Sequence, residues 1–396
     1  MMQFKLFLPL ILFSTVYASS STNENILSKD RLDLLDLTKQ QVEQNASKLS
    51  KDWINPIMYK YIRTYDIQSS IGQKKYNTAK SMVTINQPIF KSGGIYQAIK
   101  YSNALENYQY TDIEVSKKSL IAQATSFLFQ IHKMKYTIQK QELLIKNANI
   151  DIQRKKEQVF NGLIDTSFLD NAILDANIKK NVLLDLEFQL KSLINSFDNL
   201  SSKPYESFEL PRFDIVSKDQ FIKNNIYLQK SRLDINSKKW LSSMTVSKYL
   251  PTVNFTYDYS KYHKTDGMTT NENTSTYGFN ITIPLDVRTM NDIKSSKLEH
   301  LKAIKSFQIE QKEEENFLKT KLDKLALLNK KVKIAQDDVK LYSSLLTQMK
   351  ELEEAGIKTI SDVNTMKNSL DSKYMDIKIL DIEAQLELLE LYSRLK

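Results

Sequence analysis

The chain has no cysteine in 396 residues. That excludes disulfides, thiolate metal sites and a lipid-modified cysteine behind a leader. Histidine occurs three times, at His132, His263 and His300, without ligand spacing and in separate stretches, so no metal site is expected. No glycine cluster follows a strand with the spacing of a phosphate loop, and no nucleophile motif is present. No cofactor and no catalytic residue are therefore assigned, and a non-enzyme is expected. Past the N-terminus no apolar run reaches the length of a membrane helix, so any membrane contact must use strands or a surface helix. Blocks of like charge are also lacking: 56 basic residues are interleaved with 47 acidic ones, and the net charge of +9 reads as solvated helix surface rather than a nucleic-acid site.

Glycine and proline number seven each, against abundant Lys, Leu, Asn, Ile and Ser, a composition suited to long uninterrupted helices. The breakers recur at one interval. Pro56 and Pro251 are 195 residues apart, as are Gly72 and Gly267; Pro88 and Pro284 are 196 apart, and Gly162 and Gly356 are 194. Four pairs at nearly one offset indicate a duplicated supersecondary block, far longer than a solenoid repeat. The expected layout is a first repeat over 19–203, a linker over 204–216 with Pro204 and Pro211, and a second repeat over 217–396. Residues 1–18 carry Lys5, an apolar run from Leu6 to Val16 and the small Ala18, the pattern of a cleaved secretory signal.

Each repeat opens with a short helix and a strand pair, expected near 54–90 and 251–285. Val253, Phe255, Tyr257 and Tyr259 alternate with Asn254, Thr256, Asp258 and Ser260, and Tyr277, Phe279, Ile281 and Ile283 alternate on the return. Ile57, Tyr59 and Tyr61, then Val83, Ile85, Gln87 and Ile89, give a weaker version with Gly72 between them. Such hairpins commonly pack an apolar face on a soluble core. Here the rest of the chain reads as helix, and tyrosine-rich strands of about ten residues suit a bilayer. Four strands cannot close, and open edges within a bilayer are prohibitive, so the barrel must be shared between copies. Three copies give twelve strands and room for a lumen, which favours a homotrimer in contact with bilayer lipid.

From Ser92 to Phe160 no proline occurs, and a helix of that run extends about 100 Å. Arg288 to Ala355 matches it, with Leu318, Leu322, Leu325, Leu328, Val332, Ala335, Val339, Tyr342, Leu346 and Met349 at coiled-coil spacing. Gly162 and Gly356 each precede a new helical pattern, as the positive-φ residue that ends one helix before the next returns antiparallel. The fold class expected is mainly α with a small β part: long antiparallel coiled-coil hairpins forming an α-barrel, plus four membrane strands per protomer.

With these elements in place the chain resembles the TolC family of outer-membrane efflux and secretion channels over nearly all of its length past the leader. Gln87-Pro88-Ile89-Phe90-Lys91-Ser92-Gly93-Gly94 resembles the family's passage from strand to long helix, and Ile283-Pro284-Leu285-Asp286-Val287-Arg288 is its second copy. Glu354-Ala355-Gly356-Ile357-Lys358-Thr359-Ile360-Ser361-Asp362-Val363 is similar to the periplasmic tip where the family narrows its channel with aspartates. The resemblance implies a constriction carboxylate at Asp362, with Lys358 where the family often has a locking arginine. Two departures stand out: Thr365 replaces a second aspartate, and Phe168 sits where a partner aspartate is expected. Asp165, Asp170, Glu353 and Glu354 are the alternative partners. Independently of the family, an acid at Asp362 with Thr359 or Ser361 nearby also reads as a helix N-terminal cap, and the two roles are compatible.

The resemblance further implies a passive exit duct in the outer membrane of a Gram-negative bacterium, with most of its mass in the periplasm. Its partners would be a periplasmic adaptor and an inner-membrane transporter of the RND or ABC type. The rival reading is a periplasmic adaptor or coiled-coil structural protein, for which one helical hairpin flanked by compact β domains is the expected pattern instead of a duplication. A hydrolase acting on envelope material finds no supporting site.

Overall fold

The structure is a computed structural model that describes residues 24–68, 74–263 and 273–396. The expected leader and the loop glycines Gly72 and Gly267 lie outside the described residues. In chain order the elements are α1 (Lys29–Lys51), β1 (Met58–Gln68), β2 (Lys74–Phe90), α2 (Gly94–Phe160), α3 (Thr166–Asp198), α4 (Lys218–Asn224), α5 (Ile226–Ser247), β3 (Thr252–His263), β4 (Thr274–Thr282), α6 (Thr289–Glu354) and α7 (Ile360–Tyr392). The order helix, two strands, long helix, returning helix thus occurs twice. The long helices α2 and α6 have 67 and 66 residues, and α3 and α7 have 33 each. The fold is mainly α with a small β part.

The strands form one antiparallel sheet in the order β1-β2-β3-β4, so β1 and β4 are its edges. Register puts like with like. On one face Phe90, Val253 and Ile281 form a row; Gln87, Phe255 and Phe279 the next; Ile85, Tyr257 and Tyr277 a third; and Tyr59, Val83, Tyr259 and Ser275 a fourth. The other face carries Asn86, Thr256 and Gly278, then Thr84, Asp258 and Thr276. Through these rows period-two alternation separates an aromatic face from a polar one, while further along the second face is mixed, with Ile62, Met82 and Tyr262 beside Lys60, Lys80 and Ser260. Tyr59, Tyr277, Phe279 and Ile281 are all more than two-thirds exposed, and the Phe255 and Phe279 rings meet at 5.6 Å. One expectation shifts: the register slips between Pro88 and Phe90, so Phe90 rather than Ile89 continues the apolar row. Proline cannot donate to the ladder and is accommodated at such a bulge.

The chain divides into two compact units, each drawing on both repeats. Among the described residues the first comprises 24–32, 120–211 and 335–382. One of its cores is built by Ile26, Leu27, Ala124, Leu128, Ile131, Phe197, Leu200 and Tyr205. The second unit comprises 33–119, 212–334 and 383–396 and includes the sheet. Val216, Phe221, Leu318, Leu325, Leu388 and Leu391 form a core there. The segment between the repeats is held by its own apolar residues: Tyr205, Phe208 and Leu210 pack into the first core, and Phe213 and Val216 into the second.

Candidate functional site

Both turns between long and returning helices lie in the first unit, and both use one backbone device. After α2, the N–H of Gly162 donates to the Val159 carbonyl at 2.9 Å and that of Leu163 to Gln158 at 2.9 Å. After α6, Gly356 donates to Glu353 at 2.8 Å and Ile357 to Leu352 at 2.8 Å. These are paired Schellman closures, which require a left-handed residue; φ is +67° at Gly162 and +74° at Gly356. They satisfy the carbonyls that a helix end leaves orphaned.

The returning helices are started by different acids. Asp165 caps α3 with its Oδ1 accepting the Ser167 N–H at 2.8 Å. That backbone bond holds its carboxyl below the usual aspartate range. At α7, Thr359 and Asp362 form a reciprocal capping box. The Thr359 hydroxyl accepts the Asp362 N–H at 3.3 Å, while Asp362 Oδ2 accepts the Thr359 N–H at 3.2 Å and its hydroxyl at 3.0 Å. The other oxygen, Oδ1, takes the guanidinium of Arg154 on α2 at 2.9 Å. The Thr359 N–H first, then the Thr359 hydroxyl and the charges of Arg154 and Lys358, depress the Asp362 carboxyl below its ordinary value against a partial desolvation.

Arg154 is one rung of a ladder. Seven residues back on α2, Asn147 donates to the Thr365 carbonyl at 3.3 Å and the Ser369 hydroxyl at 3.2 Å, and accepts from Asn368 at 2.9 Å. Seven residues further back, Lys140 pairs with Asp376 at 2.6 Å. Arg154, Asn147 and Lys140 thus oppose Asp362, Ser369 and Asp376, heptad against heptad in antiparallel helices. Polar rungs at a coiled-coil seam fix register while contributing less cohesion than apolar ones.

Of the residues expected at the tip, Gly162, Gly356 and Asp362 occupy the turns and the ladder. Lys358 is exposed and acts on Asp362 only through its charge. Asp170 and Glu354 are exposed and Glu353 half-buried, and among the described residues none of the three meets Lys358 or Arg154. Phe168 is exposed, with the Lys155 ammonium 5.6 Å from its ring centroid. Arg154 was not singled out by sequence reasoning; the signal that finds it is the seven-residue recurrence of polar residues on α2.

The strand-to-helix passages are in the second unit. After the Pro88 bulge, Ser92 and Gly93 take φ of +48° and +83°, and the Ser92 hydroxyl donates to the Pro251 carbonyl at 2.7 Å. Gly94 starts α2 where a Cβ would lie 3.1 Å from Cβ of Ser247, so glycine there permits a close helix approach. The second passage, after Pro284, has no glycine. It turns on Asp286, which accepts the Arg288 N–H at 2.8 Å and its guanidinium at 2.7 Å. Those bonds from Arg288 hold the Asp286 carboxyl at about 2.

A meander with a segregated aromatic face, joined twice to a long helical hairpin, defines the TolC-like channel fold, and the chain has it. Solved outer-membrane channels share it across 94% of this chain. The Campylobacter jejuni outer membrane channel CmeC superimposes with a TM-score of 0.74 at 13% identity over 84% of its own length. The Vibrio cholerae outer membrane protein VceC gives 0.73 at 11% identity over 94%. CusC, whose structures concern folding and transmembrane channel formation, gives 0.74 at 12% over 90%. No family model and no curated protein matches the sequence.

Proposed function

We propose that the chain is one protomer of a homotrimeric outer-membrane exit duct of a tripartite efflux or type I secretion system. The observation that carries this reading is the sheet: four strands, two open edges, and one exposed aromatic face opposite a polar one. In water the aromatic face would be a large uncovered apolar patch. In a bilayer it is the lipid-facing wall, and the unpaired edges force closure with further copies, since each unpaired backbone group costs several kcal/mol in lipid. Three protomers supply twelve strands around a polar lumen. The role is conduction rather than catalysis.

The helical turns at Gly162 and Gly356 are read as the periplasmic tip, which docks on an adaptor and an RND or ABC transporter. Asp362, repeated by three-fold symmetry, narrows the aperture, and the Arg154 pair holds α7 to α2 in the closed state. Opening separates the ladder of exposed and half-buried polar rungs, a motion with little apolar surface to uncover.

The test is single-channel conductance of the detergent-extracted chain in planar bilayers. Discrete steps are expected, with altered current or cation block in Asp362→Ala. A folded protein that neither inserts nor conducts would return the chain to the periplasmic adaptor class.

A further inference from the structure

The polar face of the sheet changes character in the half remote from the helices. Lys60, Met82 and Ser260 form one row there, and Ile62, Lys80 and Tyr262 form the next row on the same face. Across β1 and β2 this makes a checkerboard: each row sets a lysine opposite an apolar side chain, with the two lysines on one diagonal and Met82 and Ile62 on the other. Diagonal neighbours of this kind lie about 7–8 Å apart. β3 extends the patch with the Ser260 hydroxyl and the Tyr262 ring. Lys60 is exposed and Lys80 half-buried, and among the described residues neither ammonium has a hydrogen-bonding or ionic partner. Ile62 is 37% exposed and Tyr262 38%, so apolar surface is open beside the charges. The carboxylate nearest in register is Asp258, in the row of Met58 and Thr84, with its backbone on the order of 12 Å from that of either lysine by strand and row spacing. Farther out, the register brings in Asp66 and Lys74, one charge of each sign.

We propose that this checkerboard binds an amphipathic organic anion in the wall of the lumen. Two ammonium groups a diagonal apart repel one another, and an acidic head between them supplies the counter-charge that the patch lacks. An ammonium is a compact point charge with rotatable donors and no planar fork, so a sulfonate or a carboxylate suits it equally. The other diagonal decides the rest of the ligand. Met82 and Ile62 flank the head, and a hydrocarbon body laid over them and the Tyr262 ring gains by burial what an inorganic anion cannot. The occupant is a dissolved solute rather than a bilayer lipid, because the patch lies on the face opposite the aromatic rows. In a three-fold assembly it recurs three times around the lumen. The inference rests on the reading of the sheet as a barrel wall with its polar face inward.

The test adds octanesulfonate, octyltrimethylammonium or inorganic sulfate to the full chain in planar bilayers at fixed ionic strength, and reads the concentration of each that halves the current. Octanesulfonate is expected to block wild type at a concentration about tenfold below either of the others. Lys60→Gln/Lys80→Gln should raise that concentration about tenfold. Where the double variant forms no channels, Lys60→Gln alone is read, with an expected rise of about threefold. Ile62→Ser/Met82→Ser should bring octanesulfonate to the potency of sulfate while leaving sulfate itself unchanged. Lys261→Gln removes a charge from the other face and is expected to be blocked as wild type is. Equal block of wild type and the lysine variants, or equal potency of octyltrimethylammonium, would overturn the site. Sulfate as potent as octanesulfonate on wild type would overturn the amphipathic ligand. Wild-type channels without these preferences refute the anion site alone, whereas absence of wild-type channels refutes the duct and the site together.

Discussion

Arg154 and Asp362 are 208 positions apart in sequence, and their side chains meet at 2.9 Å. The arginine side chain is 43% exposed and the aspartate 24%, so solvent screens the pair and its contribution to stability is at most about 1 kcal/mol. Its consequence is positional, because it ties the first turn of α7 to α2. Arg154→Ala is expected to leave the melting temperature nearly unchanged while increasing open-channel current in planar bilayers. The double variant with Asp362→Ala should conduct no more than the more open of the two single variants, since either change removes the same pair. Additive increases would show that the two residues act separately.

The capping box is separable from the ion pair. Thr359→Ala removes the hydroxyl that accepts the Asp362 N–H and donates to its carboxylate, at an expected cost of about 1 kcal/mol. Thr359→Ser keeps both bonds. Hydrogen exchange at the amides of the first turn of α7 should accelerate in the alanine variant and remain near wild type in the serine one. Equal protection in all three would remove the box from the account of the turn.

Acid should loosen two places in one direction. Asp362 and Asp286 both titrate below the ordinary aspartate value of 3.8 in the folded chain, Asp286 at about 2. A depressed carboxyl stabilises fully above its unfolded value and loses that contribution as pH falls through the folded one. Between pH 5 and 8 neither group should alter stability. Below 3.8 the turn around Arg288 and the start of α7 should weaken progressively. Asp286→Asn, which cannot ionise, is expected to flatten the fall in thermal stability between pH 4 and 2. An undiminished slope would assign that fall to other carboxylates.

Much of the fold was legible because its signals are periodic. The 194–196-residue recurrence of Pro56, Pro88, Gly162 and their partners marked out the repeated element order, and alternation through Val253 to Tyr259 separated the two faces of the sheet. Gly162 and Gly356 were readable as turns because a Schellman closure needs a residue without a Cβ penalty. The partner of Asp362 was not readable in the same way. Lys358 is close in sequence, but the short turn that Gly356 closes leaves it exposed, while the cation that reaches the carboxylate comes from a helix packed against α7 in space. Contacts between helices distant in sequence show only as matched heptad phases, and Arg154, Asn147 and Lys140 carry that phase weakly because each is a common surface residue. The slip at Pro88 was hidden for a similar reason: alternation predicts Ile89 in the apolar row, and only pairing with β3 shows the extra residue.

The faces of the sheet give the sharpest test of its surroundings, because neighbouring residues of one strand point opposite ways. Phe279 lies on the aromatic face, 70% exposed, beside Phe255, whereas Asn280 lies on the polar face and accepts a bond from Asn254 at 3.0 Å. If the aromatic face meets lipid, Phe279→Arg costs about 2–4 kcal/mol near the midplane. Asn280→Arg places the same charge toward water at little cost. Membrane fractionation of the two variants, with wild type alongside, should show Phe279→Arg depleted from the outer-membrane fraction and Asn280→Arg retained there with altered ion selectivity. If the protein were a water-soluble sheet with a partner on its aromatic face, neither variant would fractionate with membrane. If the faces were reversed, with the aromatic side lining the lumen, Asn280→Arg would be the variant that fails to insert. The two substitutions differ by one position and by no net charge, so a difference between them reports which way each side chain faces.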